Sequence, residues 1–309
     1  MELRQLRYFV KIVELGSLGR AALELDVGVS ALSQQISKLE SELSTRLLNR
    51  TTTGVTPTSS GFAFLHHAQL TLRQAEYAVL AAHRGRMSGH VSVGLAPTTA
   101  TVLALPLIKA MRERYPDIQL RLVEMLSGHL AAQLNSQQID LAILFQLDGG
   151  KRWSVRPLLN EKLFVIASPD LPHAPRGKIV ELTDIGTLPL VMLSAQHGLR
   201  SVLMSAFERA GVVPNIIMEI DGLSVLMNAV RAGHAATMQP GAAVALVDSR
   251  LSSVEIADAH AYRRNVLATL ADDELSSAVL ATRLVITEVA RQLVIDNHWP
   301  GATWIHAET

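Results

Sequence analysis

Cysteine is missing from all 309 residues. That excludes a disulfide framework and any thiol chemistry. Aromatic residues are scarce at 4% while hydrophobic residues reach 49%, so the core is expected to be built from Ala, Leu and Val. No apolar run approaches the roughly 18 residues that a membrane span requires. No signal peptide is visible either, because MELRQLRYF runs straight into an amphipathic helix. The expectation is a cytoplasmic protein with no membrane partner. An excess of one charge is also lacking: 28 basic residues balance 28 acidic ones, which argues against a chain that coats nucleic acid indiscriminately. Residues 1–90 hold ten Lys and Arg against seven Asp and Glu, a slight positive bias that pairing of two chains would double.

Enzyme signatures are absent too. There is no G-x-S-x-G and no H-E-x-x-H, and GLAPTTA lacks the Gly-Lys-Ser/Thr ending of a phosphate loop. His66 and His67 are adjacent and so point to different helix faces, and His83 and His90 have no Cys or carboxylate partner at ligand spacing. The expectations are no catalytic residue, no cofactor and no metal. The length allows two or three modest domains.

What is present is most informative at residues 17–43, SLGRAALELDVGVSALSQQISKLESEL. These read as two helices joined by a very short turn. Ser17 is the N-cap of the first, with Leu18, Ala21, Ala22 and Leu25 on its inner face. The second carries Leu32, Ile36, Leu39 and Leu43 on one stripe. Ser30, Ser33, Gln34 and Ser37 fall on a different face, at i, i+3, i+4 and i+7. Short hydrogen-bonding side chains without bulk or acid suit a helix lying in a DNA major groove. An ordinary helical hairpin with solvated serines has the same pattern.

The following residues favour the first reading. In RLLNRTTTGVTPTSSG, residues 46–61, Leu47 and Leu48 are apolar, Gly54 permits a tight turn, and Val55 and Thr56 favour a strand. This is a two-stranded wing, with Arg46 and Arg50 placed to meet phosphates. Thr58 or Ser59 then caps a long helix from about Gly61 to Arg86, with Phe62, Leu65, Leu72, Tyr77 and Leu80 among its apolar positions. A helix of about 25 residues spans about 38 Å, too long for the edge of a small domain unless it packs on a partner. It reads as a dimerisation helix and spacer.

RYFVKIVELGSLGRAALELDVGVSALSQQISKLESEL followed by LLNRTTTGVTPTSSG resembles the winged helix-turn-helix of the LysR-type transcriptional regulators. GHVSVGLAP, IDLAILF and MNAVRAGHAATMQPGAAV resemble that family's effector domain, so the likeness extends over nearly the whole chain. Within the family, SVGLAPTTA and RTTTGVTPT resemble the nitrogen-assimilation-control branch most. Two departures stand out. Val29-Ser30 replaces the Gln-Pro common near the start of the recognition helix, and Thr52-Thr53 replaces basic residues frequent in the wing. The first alters base reading. The second removes phosphate contacts and lowers non-specific affinity.

Beyond RGRMSGH at 84–90, strands and helices alternate. Strands are expected at 90–97, 118–125, 139–145, 162–168, 188–193, 216–220 and 235–239, and a returning strand near 263–270. Helices are expected at 100–116 (interrupted or started at Pro106), 129–138, 199–210 and 223–232, with a closing helix at 274–294 that opens on Asp272-Asp273-Glu274. Such alternation implies mostly parallel sheets with right-handed crossovers. The fold class is therefore α/β with an N-terminal all-α winged helix-turn-helix, a long linker helix and a two-lobed, periplasmic-binding-protein-like α/β effector domain. The domains are expected at 1–60, 61–89 and 90–309, with lobe I at 90–162 and 267–309 and lobe II at 163–266.

Ligands in open α/β sheets sit beyond the carboxyl ends of strands, near helix N-termini. The points so defined are Pro97, Thr98, Thr99 and Thr101, then Ser127 and Gly128, Phe145, Ser194, Gln196 and His197, and Gln239 and Pro240. The resemblance implies that these loops line an effector cleft. The candidate effector residues are Thr98, Thr99, Thr101, Ser127, Phe145, Ser194 and Gln196, and hydroxyls at helix starts would suit a small polar or anionic effector. Thr and Ser at such places also serve as plain N-caps, and His197 as plain surface. The candidate DNA-binding residues are Ser30, Ser33, Gln34, Ser37, Lys38, Arg50 and Thr51. The expected function is sequence-specific transcriptional regulation modulated by a small effector, with double-stranded DNA, RNA polymerase and further copies of the chain (a dimer, then a homotetramer as a dimer of dimers) as partners. The alternatives are a solute-binding protein with a degenerate DNA-binding domain, and a small-molecule enzyme with an appended helical domain.

Overall fold

A computed structural model describes residues 1–51, 54–82, 88–145, 153–195, 198–258, 260–270 and 275–305, with backbone alone at 73, 74 and 76–82. Thr52, Thr53, the Tyr77 and Leu80 side chains, His83, residues 84–87, Gln196, His197 and Asp272-Asp273-Glu274 therefore lie outside the described part. The chain divides into two compact units, Met1–Arg86 and Met87–Thr309.

The first unit opens with α1 (Leu3–Leu15), α2 (Leu18–Glu24) and α3 (Val29–Glu42). Gly16 ends α1 in the left-handed conformation, and Ser17 accepts the Arg20 amide as the cap of α2. Leu6, Phe9, Ile12, Ala21, Ala22, Leu32, Ile36 and Leu39 form its core, so the apolar stripes expected on both hairpin helices face inward. The wing is β1 (Leu48–Thr51) paired antiparallel with β2 (Gly54–Pro57). Glu40 on α3 fixes the wing by accepting the amides of Leu47 at 2.8 Å and Leu48 at 3.0 Å. Helix α4 (Ser59–Ala82) begins two residues before the expected Gly61, because Thr58 caps it by accepting the Gly61 amide at 2.9 Å.

The second unit continues with β3 (Gly89–Leu95), α5 (Pro97–Arg114), β4 (Ile118–Glu124), α6 (Ser127–Asn135), β5 (Leu141–Phe145) and β6 (Trp153–Ala167). It proceeds through β7 (Ile179–Val180), α7 (Leu182–Ile185), β8 (Leu190–Met192), α8 (Gly198–Arg209), β9 (Ile216–Glu219), α9 (Leu223–Arg231), β10 (Thr237–Pro240), a 3-10 turn at Gly241–Leu246 and β11 (Ser252–Ile256). It closes with β12 (Tyr262–Leu270), α10 (Ser277–Ile295) and β13 (Ala302–Trp304). Pro97 at the first helical position starts α5, and Pro106 lies inside it, so the helix is neither started nor interrupted at Pro106. Helix α10 starts at Ser277 with Ser276 as its cap, after the acidic run.

Two lobes share β6. Leu158 and Leu159 belong to the lobe I core with Val93, Leu103 and Ile143, while Leu163, Val165 and Ile166 belong to the lobe II core with Leu190, Phe207 and Leu226. The expectation of mostly parallel sheets needs correction. Strand β3 is parallel to β4 and β5, and β8 to β9, but β12 runs antiparallel to both β5 and β6, and β10 and β11 antiparallel to β6. The reason is the path of the chain, which leaves lobe I along β6 and returns beside it along β12. That return pairs from Tyr262, opposite Lys162, so residues 262–266 lie with lobe I.

Candidate functional site

In the first unit, α3 exposes Ser30, Gln34, Ser37 and Lys38 on the side away from its buried stripe. Ser33 is half-buried, and its hydroxyl accepts Arg50 Nη1 at 2.8 Å. The wing arginine is thus held against the exposed helix face. Thr51 donates its hydroxyl to the Gly54 carbonyl at 3.1 Å, within the wing turn. Lys38 lies 3.7 Å from Glu2 in an exposed pair. Six of the seven nominated side chains, all but Thr51, therefore meet along α3 or reach it from the wing.

In the second unit, a narrow cleft of about 20 Å³, room for about one water, lies between the lobes. Its apolar lining includes Leu126, Phe145, Leu193, Leu199 and Leu223, and its polar lining is Thr98, Asp221, Gln239 and Arg263. Arg263 is only 4% exposed. Its guanidinium donates to Glu161 Oε2 from Nε at 3.0 Å and from Nη2 at 2.7 Å, and it lies over the Phe145 ring, 3.8 Å from the centroid. Nη1 donates to the Thr98 hydroxyl at 3.0 Å and Nη2 to the Thr99 hydroxyl at 3.5 Å. Glu161 is fully buried and also accepts Asn265 Nδ2 at 3.1 Å, the Ala242 amide at 2.6 Å and Trp299 Nε1 at 3.0 Å. Burial pulls the Arg263 guanidinium below its ordinary pKa, and the Glu161 carboxylate opposes that pull.

The nominated effector residues divide accordingly. Thr98 and Phe145 line the cleft, and so does Gln239, a strand-end position outside the candidate set. Thr99 is buried beneath Arg263. Thr101 is exposed and donates to the carbonyls of Thr98 and Ala242, tying α5 to the 3-10 turn. Ser127 opens α6, where Leu126 instead meets the cleft. Ser194 gives its amide and its hydroxyl to Asp221 at 2.8 and 3.0 Å. The hydroxyls expected to cradle an anion are engaged within the protein. Thr98 and Thr99 serve a buried arginine, and Ser194 serves the carboxylate of the exposed Asp221. Sequence reasoning missed Arg263, Glu161, Asp221 and Asn265. The signal for Arg263 was in the strand alternation, which turns Arg264 outward and so sends its neighbour into the protein. Among the described residues, no group of three or more His, Asp or Glu could hold a metal ion, and no helix is long and apolar enough to cross a membrane.

A small helical unit with a wing and an unobstructed polar helix face, joined to a two-lobed α/β unit with a cleft, defines a DNA-binding regulator of the ligand-responsive kind. Comparison with known proteins agrees. Residues 3–62 match the bacterial regulatory helix-turn-helix of the lysR family, and residues 84–291 match the LysR substrate binding domain. The chain belongs to the LysR family of transcriptional regulators. It is 37% identical over 246 residues, 79% of each chain, to the nitrogen assimilation regulatory protein nac of Klebsiella aerogenes. It is 32% identical over 246 residues, 79% of this chain and 80% of the relative, to a hydrogen peroxide-inducible genes activator of Dickeya chrysanthemi. The fold also matches that of full-length CbnR complexed with its target DNA, at TM-score 0.71 and 22% identity over 94% of this chain and 99% of that one. The chain is thus a DNA-binding transcriptional regulator with an effector-binding domain, and the solute-binding alternative is not favoured.

Proposed function

We propose that two copies of this chain pair through α4 and present α3 to the two halves of a dyad, and that pairs of dimers form a tetramer. Ser30, Ser33, Gln34 and Ser37 read base edges, while Lys38, Arg50 and the wing around Thr51 hold the backbone. A small effector in the interlobe cleft, against Thr98, Phe145 and Gln239, alters lobe closure. That changes the DNA path and the contact with RNA polymerase. The protein works in the cytoplasm and turns over no substrate. The observation that carries the reading is the exposed Ser30–Gln34–Ser37 face with Arg50 anchored to Ser33 at 2.8 Å. The anchor brings a backbone-binding cation next to a base-reading face.

The test is footprinting on the DNA upstream of the chain's own coding region, at physiological salt, with wild type and Gln34→Ala. Wild type is expected to protect a dyad spanning several helical turns. Q34A is expected to lose about 1–3 kcal/mol of discrimination, the worth of one good base contact, with oligomeric state unchanged. Undiminished protection by Q34A would refute the assignment of α3 as the reading helix.

A further inference from the structure

We infer that the interlobe cleft is built for an uncharged ligand, one with an apolar body and a neutral hydrogen-bond acceptor, and that Glu161 is the residue that excludes carboxylates. The inference rests on the effector cleft proposed above and specifies the chemistry of its occupant. Arg263 is the sole cation lining the cleft among the described residues, and the carboxylate of Asp221 also lines it. The charge of Arg263 is already matched. Glu161 is its direct cross-strand partner on β6, is fully buried, and takes both Nε and Nη2. The carboxylate is itself saturated by Asn265, the Ala242 amide and the Trp299 indole, so Glu161 is firmly held in that position.

An anionic ligand entering this cleft would lose its hydration. It would meet an arginine whose charge is spent and a second carboxylate, Asp221. An isolated charge buried against leucines and a phenyl ring is strongly disfavoured. A neutral carbonyl or hydroxyl has no such penalty. A guanidinium has five N–H groups, and four bonds use those of Arg263: two to Glu161, one to Thr98 and one to Thr99. One N–H on Nη1 is left for an acceptor. Leu126, Leu193, Leu199 and Leu223 with Phe145 supply the apolar surround. The selectivity is therefore set from behind the cleft by a residue that does not line it.

The experiment is calorimetric titration of the full-length protein with two matched probe pairs, benzamide against benzoate and hexanamide against hexanoate, for wild type and Glu161→Gln. Wild type is expected to bind the amide of at least one pair about tenfold or more tightly than the acid. In E161Q the arginine loses its counterion, and the order within that pair is expected to reverse. Wild type binding either acid as tightly as its amide would overturn the proposal, and so would a folded E161Q with the wild-type order. If circular dichroism shows that E161Q is unfolded, the wild-type order decides alone. Binding of no probe by wild type would overturn this proposal and the cleft reading together. A preference for an acid overturns only the charge selectivity.

Discussion

Burial decides what the charged residues of the cleft contribute. Glu161 and Arg263 are 0% and 4% exposed and lie 2.7 Å apart. Removing one partner leaves the other as an unmatched charge in an apolar setting. Arg263→Met is expected to cost about 3–5 kcal/mol, whereas Glu161→Gln combined with Arg263→Met, which removes both charges and keeps an acceptor oxygen for the Ala242 amide and the Trp299 indole, is expected to recover part of that. Urea denaturation of the two variants checks this, and equal losses in both would show that packing rather than charge dominates. At the same scale, the sequence was only partly legible. Thr98, Phe145 and Gln239 were found because ligand positions follow strand ends. The Arg263–Glu161 pair was not, because its partners are 102 positions apart and only the β6–β12 register brings them together.

Among the elements, the hairpin α2–α3, the wing and α4 were legible because each has a local cause: a cap, a periodic stripe or a turn glycine. Strand β6 was read from residue 162 only, although it begins at Trp153. Pro157 cannot donate to a ladder, and the β12 register shifts beside it, between Asn265 and Val266. An interrupted apolar pattern of that kind does not look like one strand. The short elements β7, β11 and β13 follow from tertiary pairing with no periodic signal of their own. A sharper element-scale test lies at Gly61, in the first turn of α4. A Cβ there would come within 2.0 Å of the Leu47 carbonyl oxygen, so the helix start and the wing can approach only because the residue is glycine. Gly61→Ala is expected to destabilise the first unit by about 1–3 kcal/mol, as overpacking does. It is also expected to weaken DNA binding through displacement of the wing. Unchanged thermal unfolding would show that the two elements separate freely.

For the whole molecule, the two units carry the two halves of the function, and the neutral net charge of the chain places the burden of specificity on contacts. With equal numbers of acidic and basic residues, general attraction to phosphate is weak, and Lys38 is the single basic residue within α3 itself. The departure from the family at Thr52-Thr53 acts in the same direction, whereas that at Val29-Ser30 changes which bases are read. Discrimination is therefore expected to come from base edges read twice, once by each member of a pair. The central claim is that this chain is a sequence-specific dyad reader. Its most direct test is selection of binding sites from a pool of random duplex DNA by the full-length protein at physiological salt, with Gln34→Ala in parallel. The account predicts enrichment of an interrupted dyad by wild type, and weaker enrichment by Q34A with the preference relaxed at the base pair that Gln34 reads. Recovery of unrelated sequences by wild type, or of the same dyad by Q34A with enrichment and base preference unchanged, would contradict it.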